Sequence, residues 1–140
     1  MKLLIDFFDS FIDKCHHAKE EFILFPTINL RPFPFEGSPV YVMVSKHGIS
    51  KYLIRVCDEL LKAWIESGSD DAKRALVDYL RLLADHLTQH INKENNVLFP
   101  KSMGLDYVES SRSIDDIEKE ANHERWIKEI SELMRKYGIQ

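Results

Sequence analysis

H-H-A-K-E-E-F-I-L-F-P, residues 16–26, is followed later in the chain by H-I-N-K-E-N-N-V-L-F-P, residues 90–100. The shared skeleton is a histidine, two residues, Lys-Glu, three residues, then Leu-Phe-Pro. Each copy sets a histidine and a glutamate four positions apart, His16 with Glu20 and His90 with Glu94. On a helix that spacing stacks both side chains on one face, about 6 Å apart along the axis. A single such pair also suits a solvated ion-pair face. Two pairs in the same eleven-residue context read instead as two halves of one dinuclear metal site.

The chain has 140 residues, 44% hydrophobic and 30% charged, with a formal net charge of −4. That length suits one domain able to bury a core. The charge leaves no basic face for nucleic acid, and charges interrupt each apolar run long before the roughly 20 residues a membrane span needs. Asp6 and Asp9 near the start, without a small-residue cleavage site, do not resemble a signal peptide. The expected location is the cytoplasm, with Cys15 and Cys57 as buried reduced thiols.

Helical periodicity runs over about residues 2–25, 39–66, 70–99 and 114–137. Pro26 and the run T-I-N-L-R-P-F-P-F-E-G-S-P end the first segment, and Phe33 and Phe35 are expected to fold back over a helix end. Ser38-Pro39 reads as a cap followed by a first-turn proline. Gly68 stops the second helix, Ser69-Asp70-Asp71 caps the third, residues 101–112 form a loop, and Ser113 to Asp116 resembles a capping box. V-Y-V-M-V at 40–44 has strand composition, but its capped start and the period continuing through Ile54 and Leu61 favour helix. The expected fold is all-α, an up-down-up-down four-helix bundle forming one domain over residues 1–140.

Each helix carries a histidine on its expected inward stripe. The stripes are Phe8, Ile12, His16, Glu20, Ile23; then Val40, Val44, His47, Ile54, Leu61, with Ile65 one turn on; then Leu80, Leu83, Leu87, His90, Glu94, Val97; and Asp116, Glu120, His123, Ile127, Ile130, Met134. In an antiparallel bundle all four levels meet near one end. Two glutamates there repel each other unless cations sit between them, and imidazole with carboxylate suits iron, manganese or zinc. The candidate ligands are therefore His16, Glu20, His47, His90, Glu94 and His123. His17 and His86 flank the motifs, with His17 about 100° round the helix from His16. Lys51, one turn beyond His47, is either a cation over the site or a chain that reaches out to solvent.

The paired motifs with a lone His47 between them resemble the hemerythrin-like (HHE) cation-binding domain over about residues 5–100. The resemblance implies a four-helix bundle around a non-haem di-iron centre. By position, His16 and His90 become terminal ligands, His47 the ligand of the intervening helix, and Glu20 and Glu94 the bridging carboxylates. The family usually supplies another histidine from a helix before the first motif, and none of the fifteen residues before His16 is histidine. Either helix four completes the site through His123, or the site has fewer histidines, or a second molecule supplies a helix. Lys51 stands where oxygen-carrying members have a second histidine, which favours sensing, iron handling or redox reaction over reversible oxygen carriage.

The implied cofactor is two iron ions, with zinc or manganese as alternatives. The implied small ligand is O2, NO or peroxide, and a homodimer is a further expectation. The implied function is binding or sensing of O2, NO or iron. A di-iron redox enzyme reducing peroxide or O2, or repairing iron–sulfur clusters, and a metal-free structural bundle are the alternatives. No nucleophile triad, phosphate loop or nicotinamide fingerprint is present.

Overall fold

In the computed structural model, residues 1–29 and 38–139 are described, and Phe33 and Phe35 lie outside them. The described chain is all helical apart from its turns and the 103–113 connection. Helix α1 runs without a break over residues 2–29, α2 is Pro39–Ser67, α3 covers residues 70–102, α4 is Ile114–Ala121 and α5 is His123–Lys136. No described helix is long and apolar enough to cross a membrane.

Local chemistry sets most boundaries. The Ser38 hydroxyl accepts from the Tyr41 N–H, with Pro39 at the first helical position. Ser69 accepts from Asp71 and Ala72, and Ser113 forms a reciprocal capping box with Asp116. Each satisfies backbone donors that a helix start leaves without partners. Gly68 ends α2 with φ +64, a left-handed conformation that glycine adopts without strain. Residues 40–44 are helical, and both cysteines are free and buried.

Two boundaries differ from the sequence reading. The helix read over 114–137 is split by Asn122, whose φ of 55 puts one left-handed residue between α4 and α5. That turn changes the phase: Ile117, Ala121 and Trp126 are buried, while Glu120 and Ile127 are exposed. Also, α1 does not stop at Pro26 but continues to Asn29, and α3 passes Pro100 to Ser102. A proline in a helix lacks the N–H for the i−4 carbonyl and crowds that carbonyl. Both prolines follow a widened π-helical turn, Glu20–Leu24 and Glu94–Leu98. There the Phe25 and Phe99 N–H groups reach back five residues to the Glu20 and Glu94 carbonyls. The Thr27 hydroxyl also donates to the Ile23 carbonyl at 2.7 Å. The widened turn moves the inward face on by one: Leu24 and Leu98 are buried, while Val97 is 40% exposed.

Contacts along the helices fix their directions. Lys2 pairs with Asp58 and Glu21 with His47, so α1 and α2 are antiparallel. Lys73 lies over the Trp64 ring while His86 meets the Lys46 carbonyl, so α2 and α3 are antiparallel too. On the other side of α1, Glu118 pairs with Lys19, His123 meets Cys15 and Trp126 meets Phe7, so α4 and α5 run back along α1. The order is up-down-up-down, as in a hemerythrin-like bundle.

The core has an apolar layer at each end of the bundle. One holds Ile5, Leu53, Ile54, Cys57, Leu61, Leu76, Leu83 and Leu87. The other holds Leu24, Phe25, Ile28, Val40, Met43 and Leu98. Between these layers α1 and α3 carry histidine and glutamate, and α2 carries His47 and Ser50. The α2 stripe is Val40, Met43, His47, Ser50, Ile54, Cys57 and Leu61; Val44 and Ile65, expected inside, are exposed. Leu83 has no exposed surface. Leu83→Ala is expected to cost about 3 kcal/mol, lost transfer free energy plus a cavity, measured by urea unfolding of the metal-free protein.

Candidate metal centre

Between the two apolar layers lies a cluster of imidazoles and carboxylates. Ligand-capable atoms of Glu20, His47, His90 and Glu94 all lie within 4.8 Å of one another, and so do those of His17, His47 and His90. All five residues are buried. Glu20 Oε2 is 3.2 Å from His47 Nε2 on α2, and Glu20 Oε1 is 3.9 Å from His16 Nε2. Glu94 Oε1 is 2.5 Å from His90 Nε2, and Glu94 Oε2 is 3.5 Å from His16 Nε2 on α1. Each carboxylate thus faces one imidazole of its own helix and one from another element or turn.

Proximity here does not amount to hydrogen bonding. His16 Nε2, His17 Nε2, both Glu20 oxygens, His47 Nε2, both His90 ring nitrogens and Glu94 Oε1 are buried without an aligned hydrogen-bond partner. Burying such atoms unpaired costs free energy, and the gathering of one such atom from each of several buried imidazoles and carboxylates calls for a species that takes lone pairs. The donor set, the imidazoles of His16, His17, His47 and His90 with two carboxylates, fits a divalent or trivalent transition cation. The residues present therefore fit the metal that the sequence implied.

Protonation alone does not account for the cluster. Burial favours neutral His16 and His47, but Glu94 and Glu20, with Glu21 beside His47, outweigh it and hold both pKa values above the usual histidine range. Burial pushes the Glu94 carboxyl up, yet His16 and His90 beside it bring it well below the usual range. The carboxylates thereby favour the charged forms of His16 and His47. His17 goes the other way: burial, and the charges of His47, His16 and His90, lower it to about 4. Neutral at pH 7, His17 keeps its Nε2 lone pair without a partner, and a cation accounts for that atom where a proton does not.

His17, which the sequence reading set beside the motifs and not among the candidate ligands, is brought into the cluster. It has no exposed surface, stacks on His47 at 3.8 Å between ring centroids, and meets His90 edge-on at 5.2 Å. The cause is backbone geometry. Phe8–His17 is π-helical, so each residue turns by less than the roughly 100° of an α-helix. His16 and His17 are thereby closer in direction, and both aim at the cluster. His16 lies at its edge, with its side chain 36% exposed but its Nε2 buried.

His123 does not join this cluster. Its Nδ1 lies 3.5 Å from Cys15 Sγ and 4.0 Å from Glu118, and its ring packs on Phe11. Phe7, Phe11, Cys15 and Lys19 form a second face of α1, directed at α4 and α5, while Asp13, His17 and Glu20 face α2 and α3. The body of α1 therefore stands between His123 and the carboxylates. His86 donates through Nε2 to the Lys46 carbonyl at 3.0 Å and lies parallel to His90, 6.4 Å away, as a support rather than a member of either ligand group.

An all-helical bundle whose core level is built of histidine and glutamate defines a cation-binding helical protein. The hemerythrin HHE cation-binding domain model matches residues 1–102, and the chain belongs to that family. Curated relatives include iron-sulfur cluster repair protein YtfE of Pectobacterium atrosepticum and of Salmonella typhimurium, each 33% identical over 89 residues. The YtfE of Yersinia pseudotuberculosis is 32% identical over the same length. Each match covers 63% of this chain and 40% of the relative, so the chain spans well under half the length of these relatives. No solved structure matches.

Two outcomes are expected. His17→Ala weakens retention of bound metal by at least about tenfold, whereas His123→Ala leaves stoichiometry unchanged; elemental analysis after gel filtration reads both. Because protons on His16 and His47 compete with the cation, apparent zinc affinity rises from pH 6 to pH 8 with proton release, measured by titration calorimetry in two buffers.

Proposed function

We propose that this chain holds a carboxylate-bridged pair of iron ions and binds or senses a small redox-active ligand, O2, NO or peroxide, or iron itself. The observation that carries this reading is the convergence of buried, unpartnered imidazole and carboxylate atoms at one level of the core. His16, Glu20, His90 and Glu94 are the ligands given by the repeated motifs, His47 is the ligand of the intervening helix, and His17 takes the place assigned to His123. Glu20 and Glu94, one each from α1 and α3, would hold the ions between them as the carboxylate ligands. Zinc and manganese suit the same donors, and one domain over residues 1–140 remains the proposed organisation.

Bound iron would supply one or two electrons and an open coordination position to such a ligand. This chain's own residues supply the rest. Leu24, Phe25, Met43 and Leu98 keep water from one side of the cluster, and Leu53, Leu83 and Leu87 from the other. Beside His16 and Glu20 a cavity of about 260 Å³, walled by Ile23, Leu24, Phe99, Tyr107 and Ile114, gives a mainly apolar approach. Lys19 and Ser102 complete the lining, and a small uncharged molecule crosses its apolar part at little desolvation cost.

A second reading, that the chain takes part in repair of iron–sulfur clusters, is favoured by its likeness to the iron-sulfur cluster repair proteins. For a homodimer, the support is the exposed Val42, Ile49 and Tyr52 on one face of α2, apolar surface that a second copy would cover.

Expression in iron-rich medium is expected to yield two iron ions per chain and a visible absorption band from an oxo-bridged ferric pair. Chelation is expected to lower the melting temperature, since a cation bound only to the folded state stabilises it by RT ln(1 + [L]/Kd). Less than one iron per chain and an unchanged melting temperature would refute the proposal. Repair of a damaged cluster in a partner protein, with a reductant present, separates the second reading from binding alone.

A further inference from the structure

Two of the clustered histidines are held from behind by carboxylates of α1. Asp13 Oδ1 lies 3.4 Å from His17 Nδ1, and Glu21 Oε1 lies 2.7 Å from His47 Nδ1. An Nδ1–H donated to a carboxylate fixes the tautomer, so the Nε2 lone pair of each ring faces the cluster. Both Nε2 atoms are buried there without partners.

One cation reaches both carboxylates. Lys51 Nζ lies 3.7 Å from Asp13 Oδ1 and 3.6 Å from Glu21 Oε1. Lys51 is one turn beyond His47 on α2, so α2 provides an imidazole of the cluster and also the charge behind the carboxylate that orients it. The connected set is His17, Asp13, Lys51, Glu21 and His47, crossing from α1 to α2 and back.

We propose that Lys51 is a positioning residue for the cation site: by holding Asp13 and Glu21 together it keeps His17 and His47 aimed at one ion-sized space. The inference rests on the reading of the cluster as a cation site. Lys51 is about half exposed, so water screens its attraction and a lone surface pair of this kind contributes little to stability. Its effect comes from connectivity. Without the ammonium group, Asp13 and Glu21 repel each other, and each is free to turn to solvent and release its imidazole. Arginine, with the same charge and several donors, should keep both arms.

Cobalt(II) is a suitable probe, because its visible band reports ligand geometry and its release to excess chelator reports retention. Lys51→Met is expected to speed cobalt release about tenfold and to shift the band, and Lys51→Arg to restore both. On the Asp13→Asn/Glu21→Gln background, adding Lys51→Met should change the rate by less than about twofold, because its route to the histidines is already cut. The proposal is overturned if Lys51→Met releases cobalt at the wild-type rate with an unshifted band, or if its effect multiplies undiminished on the double-variant background. If the wild-type protein retains no cobalt, the cation-site reading itself falls and this inference with it.

Discussion

Two carboxylates, Glu20 and Glu94, occupy one level of a small helical core, and most of the molecule answers that constraint. An ionised carboxylate in such surroundings is costly unless countered. Here the counter is a ring of imidazoles from α1, α2 and α3, whose inward nitrogens have no aligned partner of their own. The carboxylates favour charge on His16 and His47, while a lone-pair acceptor also satisfies His17. The bundle thus carries a centre whose polar atoms are complete only with a cation, closed on both sides by apolar layers.

Polarity is graded outward from that centre. The imidazole Nε2 atoms face inward, the Nδ1 atoms of His17 and His47 face Asp13 and Glu21, and those carboxylates face Lys51 and solvent. Such outer partners orient ligands and tune their basicity. The inner arrangement therefore depends on residues at the α1–α2 surface, which contribute little to stability taken singly.

Helix α1 carries two assignments at once. One face, with Asp13, His17 and Glu20, builds the centre against α2 and α3. The other, with Phe7, Phe11, Cys15 and Lys19, seats α4 and α5. Residues two apart point to opposite sides of a helix, and Cys15 and His17 are both almost fully buried on different sides of the same turn. The wide π-helical turns explain how the Leu-Phe-Pro ends of both motifs continue the helix instead of stopping it.

The amino-acid sequence by itself determined the helical class, the caps at Ser38, Ser69 and Ser113, the stop at Gly68, and the gathering of His47, His90, Glu20 and Glu94. These depend on chemistry local to one or two turns or on a motif that occurs twice, and both are visible in residue order. The tertiary structure alone decided that His17 is the fully buried neighbour of His47 while His16 sits at the edge. It also decided that His123 faces Cys15, and that Val44, Ile65 and Val97 point to solvent. Those outcomes turn on helical phase. On α1, α3 and the α4–α5 pair a widened turn, or the one left-handed residue Asn122, rotates everything beyond it; on the uninterrupted α2 the packing against α1 and α3, not residue spacing, selects which apolar stripe turns inward.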